Sequence, residues 1–166
     1  MIKIRGPLGS FQYLGNGKCR FYKDKFLKDK KDYREKTYKK IGMLGAGTGI
    51  APLFQIIQAA DRNKDDVEIS LFFGNSTSKD VLLKDELEVF AKNKNFKFNL
   101  TLMINEKEEG WTGETGHFNL ENIQKYMPAP SDDTLIVYCG RKPLCLEIYE
   151  QSLLKLGHSK ENIFKF

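Results

Sequence analysis

From Tyr38 onward, short apolar runs alternate with amphipathic stretches, and brief polar turns separate them. "KKIGMLG" has the pattern of a short buried strand, and "APLFQIIQAA" places Leu53, Ile56, Ile57 and Ala60 on one helical face. The same pairing recurs with "VEISLFFG" (Val67 to Gly74) as a strand and "LLKDELEVFAKN" (Leu82 to Asn93) as a helix, with Asp80 placed to cap it. "FKFNLTLMI" (Phe96 to Ile104) alternates as a third strand, and after a long polar loop "NLENIQKYM" is a short helix. "TLIVYCG" (Thr134 to Gly140) is a wholly apolar strand, Pro143 to Leu156 a helix ended by Gly157, and "NIFKF" a last strand. Five strands alternating with four helices predict a three-layer α/β sandwich around a five-stranded parallel sheet with right-handed crossovers.

Ahead of this unit, "GPLGSFQYLGNG" has no helical period and suits an extended strand followed by a tight turn. A chain of 166 residues, 40% hydrophobic and with 12 Phe and 7 Tyr, can bury one core. No apolar run approaches the roughly 20 residues needed to cross a bilayer, so no membrane contact is expected from this segment. The net charge of +5 is uneven, because eleven of the 27 Lys and Arg lie between Lys18 and Lys40. That stretch also holds Asp24, Asp29, Asp32 and Glu35 and lacks a nucleic-acid module. It reads as a solvated basic linker, suited more to an acidic protein partner than to nucleic acid. Cys19, Cys139 and Cys145 form no CxxC pair, and His117 and His158 are solitary, so neither a disulfide framework nor a metal site is indicated.

The chemistry concentrates at "IGMLGAGTGIAP". It nearly spells the dinucleotide fingerprint GxGxxG, with Gly45 and Gly47 in place but Ile50 where the third glycine belongs. Gly45, Gly47 and Gly49 allow close backbone approach, Thr48 adds a hydroxyl, and Pro52 presets the backbone near the helix start. A helix N-terminus there favours a pyrophosphate, although alone the loop reads equally as a tight strand-to-helix turn. "CGRKP", Cys139 to Pro143, ends the fourth strand, which in a doubly wound sheet commonly neighbours the first at the switch point. The two loops would then form opposite walls of one crevice, with Cys139 either a polarizable thiol at its edge or a small hydrophobe capping the strand.

Together, "GPLGSFQYLGNG", "KKIGMLGAGTGIAPLFQII", "LFFGNSTSKDVLLKDELE", "GWTGETGHFN", "MPAPSDDTLIVYCGRKP" and "ENIFKF" resemble the nicotinamide-binding half of the cytochrome b5 reductase family. That half belongs to the wider ferredoxin-NADP reductase family, and the resemblance is collinear over nearly the whole chain. It implies residues 1–37 as the end of a flavin domain plus a basic linker, and residues 38–166 as the NAD(P)H-binding domain. It implies hydride transfer from NADH to FAD, then electron delivery to cytochrome b5 or a similar acidic haem protein. By the same resemblance Gly45, Gly47, Thr48, Gly49, Pro52, Asn75, Asn105, Gly140, Arg141 and Pro143 would contact the coenzyme. Cys139 and Thr48 would stand at its reactive end, positioning rather than ionising. FAD would sit mainly on a flavin-binding domain of the same polypeptide, which this chain lacks. The family setting implies the cytoplasmic side of a membrane, with any anchor in a segment missing from the N-terminus.

Two departures bear on the site. The family's CGPPPM is "CGRKPL" here, with Arg141 and Lys142 in place of two prolines. Asn105 stands where NADH-preferring relatives carry an acid, yet "FGNSTSK" offers no arginine to clamp a 2′-phosphate bidentately. NADH is the expected coenzyme, with an NADPH-dependent member of the family and a non-catalytic interaction module as the alternatives.

Overall fold

The structure, a computed structural model, describes residues 9–23, 32–141 and 148–166, without the side chains of residues 149 and 150. The chain opens with β1 (Phe11–Gly15), β2 (Lys18–Tyr22) and β3 (Tyr33–Thr37), an antiparallel sheet in that order. The ends of the basic stretch, expected as solvated linker, are therefore strands. The reason is a period of two that the dense charge obscures. Cys19 and Phe21 are buried on the inner face, whereas Lys18 and Arg20 meet Glu35 on the outer one, at 2.6 Å and, from the Arg20 Nε, 2.7 Å. On the inner side the Arg34 guanidinium lies 4.0 Å over the Phe21 ring, its cross-strand partner.

β4 (Lys40–Ala46) runs through a 3-10 turn, Gly47–Gly49, directly into α1 (Ile50–Asn63). Then come β5 (Glu68–Asn75), α2 (Lys84–Lys92), β6 (Phe98–Ile104), β7 (Glu114–Thr115), α3 (Leu120–Tyr126), β8 (Thr134–Cys139) and β9 (Ile163–Lys165). The sheet is parallel throughout and ordered β7-β6-β5-β4-β8-β9, six strands rather than five. The extra strand, β7, is two polar residues paired with Met103 and Ile104, too short to leave a pattern in the sequence. Of the expected fourth helix the described part is a π-helical stretch, Ile148–Leu153, and residues 142–147 lie outside the described residues. Asp80 does not cap α2, whose N-cap is Leu83 in a left-handed conformation (φ 56). It closes a preceding turn instead, accepting from the Thr77 N–H at 3.0 Å and the Thr77 hydroxyl at 2.8 Å.

The strands read as nearly continuous apolar runs because both sheet faces are covered. Ile41, Met43, Ile69, Leu71, Phe73, Leu135 and Val137 pack with α1, α2 and the N-terminal sheet. The alternate positions Leu44, Phe72, Ile136 and Tyr138 pack with α3 and the 148–153 segment. Leu53, Ile57 and Ala60 of α1 are fully buried, and a large aliphatic side chain so placed contributes about 1.5–3 kcal/mol. The N-terminal sheet is fastened to the turn that follows α1 by the Tyr13 hydroxyl, which donates to Asp65 Oδ2 at 2.6 Å and accepts from the Gly17 N–H at 3.1 Å. Burial and the Asp65 carboxylate push the Tyr13 phenol well above its ordinary range, so it stays a donor at all physiological pH.

Candidate functional site

The chain leaves β4, builds β5 and β6 to one side, and returns to place β8 on the other. The switch point therefore lies between β4 and β8, and in such sheets ligands bind beyond the carboxyl ends there. A cleft of about 580 Å³ occupies that place. Its floor is the Gly47–Gly49 turn, one wall the β8 exit (Cys139, Gly140 and Arg141), and the other the exits of β5 and β6 with Asn75 and Asn105.

The turn's geometry follows from its glycines. Gly47 has φ +52, and a Cβ there would meet nothing within 4 Å, so this residue presents open backbone to the cleft. Gly49 is buried, and a Cβ there would lie 2.2 Å from the Cys139 carbonyl oxygen. Its lack of a side chain lets the two loops touch. The leading N–H groups of a helical segment have no acceptor within it and lie at its positive end. Neither the turn nor the first turn of α1 carries an acidic residue to neutralise that end. Arg141 adds a cation across the cleft.

Asn75, the last residue of β5, is 7% exposed, and neither its amide nitrogen nor its oxygen has a hydrogen-bond partner. A buried carboxamide left so costs about 1–3 kcal/mol. A polar ligand in the cleft would satisfy both atoms.

Of the residues expected at the coenzyme, the structure brings Gly47, Thr48, Gly49, Asn75, Asn105, Cys139, Gly140 and Arg141 into this one cleft. Two it does not. Gly45 lies within β4, where a Cβ would press on Leu53 at 3.1 Å and Phe73 at 3.3 Å, so its smallness serves packing. Pro52 faces the N-terminal sheet beside Phe11, Tyr13 and Phe166, away from the cleft. Pro143 lies outside the described residues. The sequence reading gave no site role to Ser76, Asp80, Gly116 or His117. All four line the cleft, and His117, though exposed, sits on its rim. They come from turns without periodicity, and only the "FGNSTSKD" and "GETGHFN" motifs could have pointed to them.

Residues 43–148 match the family model described as the oxidoreductase NAD-binding domain. NADH-cytochrome b5 reductase 1 of Dictyostelium discoideum is 40% identical over 166 residues, 99% of this chain and 50% of that protein. NADH-cytochrome b5 reductase 3 of Rattus norvegicus is 34% identical over 166 residues, 99% of this chain and 54% of that protein. The chain thus spans about half the length of the curated relatives it matches. The crystal structure of the cytochrome b5 reductase domain of Ulva prolifera nitrate reductase superimposes with a TM-score of 0.86 at 28% identity. That match covers 98% of this chain and 59% of the other.

Proposed function

Because this chain belongs to the oxidoreductase NAD-binding domain family, we propose that it is the NADH-binding part of a flavin-dependent reductase. The whole protein would pass hydride from NADH to FAD and then electrons to a haem protein such as cytochrome b5. The observation that carries this reading is the orphaned Asn75 carboxamide, buried in a cleft whose floor is an acid-free helix N-terminus. In this reading the coenzyme's pyrophosphate rests on the Gly47, Thr48 and Gly49 backbone, with Arg141 supplying charge from the opposite wall. Asn105 faces the adenosine ribose, and Cys139 and Thr48 orient the nicotinamide, with Gly140 lining its path. The bound coenzyme supplies the hydride, and this chain's residues bind and orient it. Hydride transfer needs no general base, so Cys139 and Thr48 act without ionising.

The flavin's own contacts belong, on this proposal, to a flavin-binding domain of the same polypeptide. An acidic haem protein would meet the basic residues around β2 and β3. Among the described residues no helix is long and apolar enough to cross a membrane. Calorimetric titration of the 166-residue chain with NADH tests the core of the reading. One saturable site is expected, and a folded chain that binds neither NADH nor NAD⁺ would overturn it.

A further inference from the structure

Strand order sets the loops after β5 and β6 side by side, on the opposite side of the glycine turn from Cys139 and Arg141. The Asn105 N–H donates to the Ser76 carbonyl at 3.3 Å, so the two loops leave the sheet together. Ser76, Asp80 and Asn105 line the cleft here. Between Ser76 and Asp80 the turn is already holding an anion. Glu108, thirty residues further along the chain, reaches back so that Oε1 accepts from the Ser78 N–H at 3.1 Å and Oε2 from the Ser78 hydroxyl at 2.5 Å. A backbone N–H and a hydroxyl converging on two oxygens of one acid is how turns hold phosphate groups as well as carboxylates. The Ser78 hydroxyl and N–H, with Lys79 adding charge attraction, hold the Glu108 carboxyl below its usual range, so it is ionised at neutral pH. Asp80 opposes that effect, and its own carboxylate is fixed beside Glu108 by Thr77.

We propose that Glu108 is a built-in anion that occupies the phosphate-accepting turn at Ser78 and thereby excludes a coenzyme bearing a phosphate on its adenosine ribose. The proposal rests on the reading of the cleft as a nicotinamide coenzyme site and adds how that site selects NADH over NADPH. A ribose 2′-phosphate entering this turn would find its donors taken and would meet two carboxylates. An uncharged 2′-hydroxyl would meet carboxylates to which it can donate. Selectivity then comes from a repulsive element supplied by another loop, and it is retained although position 105 is Asn rather than an acid.

The test is calorimetric titration of the parent chain, Glu108→Gln, Ser78→Ala and the double variant with NADH and NADPH. The bare adenosine ligands 5′-AMP and 2′,5′-ADP are titrated alongside, all at one ionic strength because screening alters the phosphate term. In Glu108→Gln the NADPH to NADH ratio of dissociation constants is expected to fall about tenfold, with the 2′,5′-ADP to 5′-AMP ratio following. In the double variant that gain should disappear, because the turn has lost the hydroxyl that would hold the phosphate. An unchanged ratio in Glu108→Gln overturns the proposal while leaving the coenzyme site standing. A parallel fall for both coenzymes does the same, because it marks a purely structural tie between the loops. A gain that survives the loss of Ser78 overturns it as well. Absence of saturable binding of either coenzyme to the folded parent overturns the site reading, and this proposal with it.

Discussion

Replacing Gly49 by alanine adds a single methyl group, and the structure says that it has no room. The new Cβ would lie 2.2 Å from the Cys139 carbonyl oxygen, 2.6 Å from its carbon and 3.2 Å from the Gly140 nitrogen. All three are backbone atoms, so no side-chain rotation relieves the contact. β4 and β8 are locked in register up to Gly45 and Cys139, which leaves the loops alone to yield. Overpacking of this kind costs about 1–3 kcal/mol, and the relief available is to separate the glycine turn from the β8 loop. Because the cleft needs both at once, NADH affinity should fall at least about tenfold, equivalent to roughly 1.4 kcal/mol. Gly47→Ala is the control. Its Cβ would meet nothing, but its φ of +52 is left-handed, so alanine there costs about 1–2 kcal/mol from backbone strain alone. Urea denaturation gives the stability of each variant, and calorimetry with NADH gives the affinity. Gly49→Ala with parental stability and affinity would refute the account of the two loops in contact.

Asn75→Leu replaces an orphaned buried carboxamide by an apolar group of similar size, so the chain should gain about 1–3 kcal/mol in urea denaturation while NADH binding weakens. Lower stability with unchanged binding would show that Asn75 does not serve the ligand. Tyr13→Phe removes the hydroxyl bonded to the buried Asp65 carboxylate and should cost about 1.5–3 kcal/mol by the same assay. A neutral result would mean that the bond to Asp65 does not help to hold the N-terminal sheet in place. His158 is 5% exposed, and its burial lowers the imidazole pKa below the ordinary 6.5. The unfolded chain therefore takes up this proton first as pH falls. Stability is complete above about pH 6.5 and declines below it until the lowered folded value is passed, by at most roughly 1.4 kcal/mol per pH unit. His158→Gln should flatten that part of the profile, and a slope that persists would assign it to other groups.

The parallel sheet was legible because burial on both faces writes long apolar runs, and the helices of "APLFQIIQAA" and "LLKDELEVFAKN" because each buries one stripe. The N-terminal sheet left the weaker mark of a half-covered one. In "KCRFY" only Cys19 and Phe21 face inward, and the outward positions are filled by the charges that made the stretch resemble a linker. β7 left none, since two residues hydrogen-bonded to Met103 and Ile104 need no hydrophobic pattern of their own. The cleft divides along the same line. Residues at strand ends and in the glycine turn could be placed by topology. His117 and Asp80 take their places from loop geometry, which side-chain hydrogen bonds such as those at Thr77 and Ser78 hold and no hydrophobic period announces.

The glycine loop departs from the dinucleotide fingerprint in a way the packing explains. There the third glycine allows the helix to pack closely on the sheet. Here that position is Ile50, 2% exposed and part of the main core. Close approach is made one residue earlier, by Gly49 against the Cys139 carbonyl, and so toward the neighbouring strand's loop rather than toward the loop's own strand. Moving the contact ties β4 to β8 at the switch point and frees the helix start to bury a large aliphatic side chain. Within this loop, Gly47 is the glycine left with open space beside its Cα. Of the three glycines in "GAGTG", Gly45 serves the core, Gly49 joins the two walls, and Gly47 opens onto the cleft.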